Sequence, residues 1–294
     1  VKQLESGTLF IQRQGKQLSE LAYSDTQLTY ITSKISLLAG HLLKGPTRMD
    51  IRRAVATDEN DLLFIVNDDD GTMAVFSLLR IQNVIAPSEF TTTGSYIDVG
   101  VDITDIYTVV KRADDGVDKY FVEVFDDNSL TDCGVVGTTS TTANMAHLEG
   151  ADVNVLSDGY VELNQTVPSG GTITFTNPPS TSSEVGLPIE VNIVTMPVDL
   201  KIQTGTRLGF RKRIVEVSAV LLETQNIVIN GNLVPIRTLG EGALGSPVPT
   251  FTGIKTLHGI LGYNQEGKIT VTQSAPLKLT LLGLEYKLSV HQGT

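Results

Sequence analysis

The stretch from Leu62 to Arg80, LLFIVNDDDGTMAVFSLLR, limits the possible folds of this chain more than any other. An apolar run enters Asn67-Asp68-Asp69-Asp70-Gly71, and a second apolar run leaves it. Two strands around an acidic turn closed by glycine make a β-hairpin. The unit recurs on either side. Leu9 to Tyr23, LFIQRQGKQLSELAY, turns at Gln14-Gly15, and Ile106 to Phe125, IYTVVKRADDGVDKYFVEVF, turns at Asp114-Asp115-Gly116. Such a recurrence sets an architecture before any motif does. The expectation is an all-β fold of antiparallel hairpin repeats, either propeller-like or as open sheets.

Composition agrees with strands. The chain has 294 residues, 40 % of them apolar and 19 % charged, enough for a sizeable core and for two or three domains. Thr, Val, Ile and Gly are plentiful and Trp is absent, a bias towards strands and turns. The net charge is −11. A surface that acidic does not suit broad gripping of nucleic-acid phosphates, which takes Lys and Arg. It suits solubility, or a wall past which DNA slides without sticking. The single cysteine, Cys133, excludes an intrachain disulfide and a Cys-rich metal site, and is read as a bystander thiol in a loop. No run of about 18 apolar residues exists, so no membrane span is expected. The chain opens Val1-Lys2 and soon enters a strand pattern, and it is read as the C-terminal part of a longer polypeptide.

Along the chain, Leu38, Leu42 and Leu43 follow Ser36 at near-helical spacing before Lys44-Gly45-Pro46. This predicts one short helix from Ser36 to Leu43, with His41 packed beside the leucines. Arg48, Arg52 and Arg53 beside Asp50, Asp58 and Glu59 read as a solvated face or an interface ion-pair patch. Ile81–Ile85 and Tyr96–Val101 read as short strands separated by turns at Pro87-Ser88 and Thr91–Gly94. The small, polar segment Thr131–Ala143 is the best boundary. Beyond it, Val153–Leu156, Tyr160–Leu163 and Thr172–Thr176 predict a small inserted barrel or sandwich. Ile189–Thr195, Ile214–Glu223, Ile227–Asn230, Leu233–Leu239, Gly253–Leu257, Lys268–Gln273 and Leu277–Val290 predict the strands of a sandwich-like closing part. The expected domains are 1–135 (hairpin repeats with the short helix), 136–188 (inserted β module) and 189–294 (C-terminal β-sandwich-like part).

The motifs lead to no chemistry. The acidic turn at 67–71 fails as an EF-hand calcium loop, since Val66 and Ser77 stand where the first and last ligands belong. Gly240-Glu241-Gly242-Ala243-Leu244-Gly245 spells G-x-G-x-x-G, but Ser246-Pro247-Val248-Pro249 forbids the helix that a pyrophosphate site needs. His41, His147, His258 and His291 are scattered, and neither HExxH nor G-x-S-x-G occurs. Asn164-Gln165-Thr166 is a glycosylation sequon by pattern only. Arg207, Arg211, Lys212 and Arg213 form the one basic cluster, read as solvated or as facing a neighbouring subunit's acidic edge. On these grounds no catalytic, cofactor-binding or metal-ligating residue is named, no cofactor is expected, and the chain is expected not to be an enzyme. A carbohydrate- or host-receptor-binding module is the alternative, requiring exposed aromatics on a sheet face. A polysaccharide-cleaving enzyme is a third reading, requiring two carboxyl groups across a groove.

One ordered series of segments carries a resemblance. FIQRQGKQLSELAYSDTQLTYITSKISLLAGHLLKG, LFIVNDDDGTMAVFSLLRIQNVIAPSEFTTTG and IYTVVKRADDGVDKYFVEVF resemble successive segments of the tail tubular (nozzle) proteins of short-tailed bacteriophages. HLEGADVNVLSDG, VGLPIEVNIVTMPVD, FRKRIVEVSAVLLET and KITVTQSAPLKLTLLGLEYKL continue the likeness in the same order. Members of that family are usually longer, with a further N-terminal portion. The resemblance implies a structural virion protein assembled in the host cytoplasm. Its copies would form a closed ring, commonly a hexamer, bound to adaptor and fibre proteins of the tail. DNA would pass through the lumen without specific binding. It implies no catalytic residues.

Overall fold

The computed structural model describes residues 1–294 except 5–6, 57–58, 80–81, 115–116, 138–139, 200, 203–204, 207–208, 238–245, 260–261 and 291–294. The side chains of 114, 201–202 and 205–206 are likewise undescribed. The described residues form antiparallel strands and two 3-10 turns, as the hairpin pattern predicts. The chain divides into two compact units, Val1–Asn128 and Ser129–Thr294.

The first unit is three sheets laid down in chain order. Strands β1 (Lys2–Gln3), β2 (Thr8–Ile11), β3 (Leu18–Ser24) and β4 (Thr29–Lys34) form the first sheet. The second holds β5 (Pro46–Arg52), β6 (Asp61–Asn67), β7 (Met73–Leu79) and β8 (Val84–Phe90). The third holds β9 (Ser95–Asp102), β10 (Asp105–Asp114) and β11 (Val117–Val124), with β10 in the middle.

The hairpin β6–β7 is apolar without alternation because both of its faces are buried. Leu63 opposite Phe76 and Ile65 opposite Ala74 join a core with Leu9, Leu18, Leu42 and Leu43. Phe64 opposite Val75 and Val66 opposite Met73 join a second core with Tyr96, Val99, Ile106 and Val110. A one-residue slip would exchange the two sets, so the register is held from both sides.

Two expectations in this unit are corrected. The segment 36–43 is no helix beyond a 3-10 turn at Gly40–Leu42. The Ser36 hydroxyl accepts a hydrogen bond from the Leu18 amide (2.8 Å), so it ties this segment to β3 instead of capping a helix. His41 is exposed. Pro87-Ser88 is not a turn but lies inside β8, with Pro87 opposite Phe76. A terminal strand accepts proline, whose missing N–H can face away from the ladder.

The second unit begins with β12 (Thr131–Gly137), β13 (Thr142–Asn144), β14 (Asp152–Ser157), β15 (Tyr160–Thr166), β16 (Thr172–Thr174) and β17 (Ser183–Pro188). The order β12-β17-β14-β15 makes one sheet and β13-β16 a separate pair, open sheets and not a closed barrel. They share a core of Met145, Val153, Val155, Ile173, Phe175 and Val185. Asp158 (φ 46°) and Gly159 (φ 84°) turn β14 into β15 with positive φ at both corners, the type I′ geometry that suits strand twist. Cys133 lies within β12 at φ 51°, not in a loop.

The remaining strands are β18 (Val191–Val194), β19 (Lys201–Ile202), β20 (Gly205–Thr206), β21 (Lys212–Thr224), β22 (Val228–Ile229), β23 (Asn232–Leu233), β24 (Phe251–His258), β25 (Thr270–Gln273) and β26 (Leu281–Val290). Sheets β18-β25-β22-β23 and β24-β21-β26 share one core of Val217, Ala219, Leu221, Ile229, Ile269 and Val271, the sandwich expected from the alternation in β21. Of the expected strand 233–239, Leu233 lies in β23, 234–237 are not strand, and 238–239 lie outside the described residues. Val234 and Ile236 still enter the core, as irregular backbone.

Candidate functional site

The acidic turn of β6–β7 is built as a joint. Asn67 is fully buried. Its amide donates to the Leu42 carbonyl (2.9 Å) and Thr72 Oγ1 (3.0 Å), and its Oδ1 accepts from the Lys44 amide (3.1 Å). Asp70 accepts from both the amide and the hydroxyl of Thr72 (3.1 and 2.7 Å). Lys44 Nζ reaches Asp70 at 2.7 Å and Glu89 at 2.5 Å. Hydrogen bonds to Asp70 and Glu89 raise the Lys44 pKa. Burial pushes the Asp70 carboxyl up, but its bonds from Lys44 and Thr72 outweigh that and leave it lowered. Among the described residues, no group of three or more His, Cys, Asp or Glu is placed to hold a metal ion.

The other charged motifs are also absorbed within the chain. Asp50 pairs with Lys2 (2.7 Å) and accepts the Val101 amide (3.1 Å), Arg48 approaches Asp98 (3.8 Å), and Arg53 donates to the Gln3 carbonyl (2.8 Å). In the third hairpin the buried Arg112 binds both oxygens of Glu123 (2.9 and 3.0 Å) and the Thr93 carbonyl (2.7 Å).

The predicted basic cluster is not one surface. Lys212 is fully buried, donating from Nζ to the Val198 carbonyl at 2.5 Å, while Arg211 is exposed and Arg213 half-buried. The alternation of β21 turns Lys212 towards the same side as Ile214, which its neighbours in a basic run had hidden. His147 Nε2 lies 3.1 Å from the Cys133 carbonyl and His258 Nδ1 3.5 Å from Glu216, so the histidines are not brought together. Arg207, Asp58, Asp115, Gly116, the G-x-G-x-x-G stretch 240–245 and His291 lie outside the described residues.

The unspent features are outward strand faces; the second unit has exposed apolar residues on its own end strands, Ile254 on β24 and Leu282 on β26, and the first unit adds exposed aromatics. On β3 and β4, Tyr23 and Tyr30 face each other in register with ring centroids 5.3 Å apart, edge to face, and are 51 % and 68 % exposed. On β10 and β11, Tyr107 pairs with Val124, Val109 with Val122 and Lys111 with Tyr120 on the face opposite Val110. There Tyr120 is 63 % and Val122 77 % exposed. Sequence alternation could have found both faces, since each strand carries apolar residues at both parities. Tyr107 also lines an open depression of about 560 Å³ together with Arg52, Asp105, Phe125, Asp126 and Asp127, among others.

No family model and no curated protein matches the chain. Solved structures that match include the exo-β-1,3-galactanase from Phanerochaete chrysosporium, with galactose and, as variants, with β-1,3-galactotriose. Identity is 10 %, with 96 % of this chain and 68 % of that chain covered, at TM-scores of 0.24 and 0.23. The expectation that the chain is not an enzyme is withdrawn, because the matching structures named here are those of an enzyme. At such a TM-score the likeness carries no argument about activity, substrate or residues. Among the described residues no helix is long and apolar enough to cross a membrane.

Proposed function

We propose that this chain is a wall-forming subunit of a ring-shaped nozzle in the tail of a short-tailed phage. In that role it conducts DNA outward and docks adaptor and fibre proteins. The observation that carries the reading is the exposed apolar face of terminal strands in the first unit. Tyr30 lies on β4 beside Tyr23 of β3, and Tyr120, Val122 and Val124 lie on β11. Uncovered apolar sheet faces bounded by open strand edges are an aggregation hazard for a lone chain and a natural interface for an assembled one. The ordered resemblance of segments supports the same reading. So does the charge of −11, which lets a lumen pass DNA without holding it. Size-exclusion chromatography with light scattering tests it. The expected result is a discrete oligomer of six copies, and a monomer at every concentration opposes it.

A second reading rests on the Tyr23–Tyr30 pair, which meets the requirement for aromatics on a sheet face and suits stacking against a sugar ring. Here the strand would bind a carbohydrate or a glycosylated host receptor. Titration with oligosaccharides, read by the tyrosine fluorescence of the native chain and its Tyr30→Ala variant, separates the two. Saturable binding lost in the variant favours the glycan, and no response favours the wall.

A further inference from the structure

The ring reading requires two different patches that fit each other, because a closed ring joins subunits head to tail. We infer that the two patches are strand edges: β4 of one copy pairs antiparallel with β11 of the next, with Tyr30 opposite Val122, Thr32 opposite Tyr120 and Lys34 opposite Asp118. The inference rests on the ring reading and specifies its contact.

Both strands end their sheets, β4 in β1-β2-β3-β4 and β11 in β11-β10-β9, so each has one side without a neighbour in the sheet. Every residue of β4 is exposed, and β11 is exposed at Val117–Tyr120, Val122 and Val124. The outward faces of both strands carry the even-numbered residues. On β4 these are Tyr30, Thr32 and Lys34, with the exposed Tyr23 and Leu21 of β3 beside Tyr30 and Thr32, on the face opposite the buried Leu18 and Glu20. On β11 they are Asp118, Tyr120, Val122 and Val124, opposite the face that buries Val110 and Arg112.

Register then follows from counting. The six residues of β4 can pair antiparallel along their whole length with β11 in three registers. A joined sheet must keep outward residues on one side, since side chains alternate with period two. Only one of the three does so, and it places Lys34 against Asp118 and Tyr30 against Val122. A shift one way sets Lys34 against Lys119, and a shift the other way against Val117. Of the parallel registers that match faces, one sets Lys34 against Val122 and the other against Val124. The register selected by face is thus the one that brings Lys34 to Asp118, which already meets Lys111 of its own hairpin at 3.3 Å, and stacks an aromatic on a β-branched residue, combinations that stabilise cross-strand neighbours. Backbone hydrogen bonds supply affinity in such strand addition, and side chains supply its specificity.

The test uses the full chain with Cys133→Ser. Tyr30→Cys with Val122→Cys is compared with Tyr30→Cys with Phe121→Cys under mild oxidation, and Lys34→Asp is compared with Lys34→Asp combined with Asp118→Lys. The expected result is a covalent ladder for the first cysteine pair and none for the second. Lys34→Asp is expected to weaken assembly by tenfold or more, and the double charge swap to restore it. Rings by light scattering without a 30–122 ladder overturn the strand pairing and leave the ring standing. Monomers at all concentrations in the parent overturn both.

Discussion

Single residues in this chain mostly act as joints. Asn67 makes three hydrogen bonds at a fully buried position between the β6–β7 turn and the 42–44 segment. Replacing it by alanine leaves buried partners unsatisfied, at about 1–3 kcal/mol for each group that water cannot reach. Asn67→Ala should therefore lower stability by about 2–4 kcal/mol, read as a fall in the urea midpoint at unchanged slope; a loss under about 0.5 kcal/mol contradicts the role. Asp158 is a second joint. Its carboxylate accepts from the amides of Ser180, Ser182 and Thr181 and from the Ser180 hydroxyl, which hold its pKa down at about 2. A depressed acid stabilises the fold above the unfolded value near 3.9 and loses that contribution as pH falls through the folded value. Amide exchange at Ser180 and Ser182 should accelerate, relative to the second unit's core strands, between about pH 4 and pH 2. Unchanged protection there would show that the carboxylate does not hold the loop. Lys44 runs the opposite way, since its raised pKa contributes below the unfolded value near 10.4 and fades in strong alkali.

At the scale of elements, β10–β11 joins a buried ion pair to an outward apolar face. Arg112 is 5 % and Glu123 19 % exposed at the side chain. Breaking such a pair strands a buried charge, so Glu123→Ala should destabilise the first unit by about 3–5 kcal/mol in urea unfolding. Glu123→Gln, which keeps one acceptor oxygen for the guanidinium, should cost less. Equal losses would contradict the charge argument. The hairpins were legible in the sequence because Gly71 takes φ 69° at the end of a polar turn and the strands on either side are apolar. Asp158-Gly159 was legible for the same reason. The segment 36–43 reads as a helix because Leu38, Leu42 and Leu43 stand at near-helical spacing, yet Leu42 and Leu43 are buried while Leu38 is exposed, so the spacing marks no common face. What decided the matter was a distant bond, from the Leu18 amide to the Ser36 hydroxyl. Lys212 was hidden in the same way: residue type placed it with Arg211 and Arg213 on a surface, and only the strand parity of β21 turns it inward. The outward tyrosines of β4 and β11 are legible only in part: apolar residues at both parities show that each strand has two apolar faces, but not which of them a neighbour covers.

For the whole molecule, the two units each contain their own cores, and the first leaves two sheet-ending strands with apolar outward faces. An edge on one strand matched to a different edge on another copy adds subunits in one sense only and stops when the ring closes. Closure, and not association alone, is what separates a nozzle from a sticky fragment. Native mass spectrometry of the full chain across a tenfold concentration range reads this directly. The account predicts one dominant closed species, expected at six copies, with no larger multiples as concentration rises. A ladder of unbounded oligomers, or a monomer throughout, would contradict it.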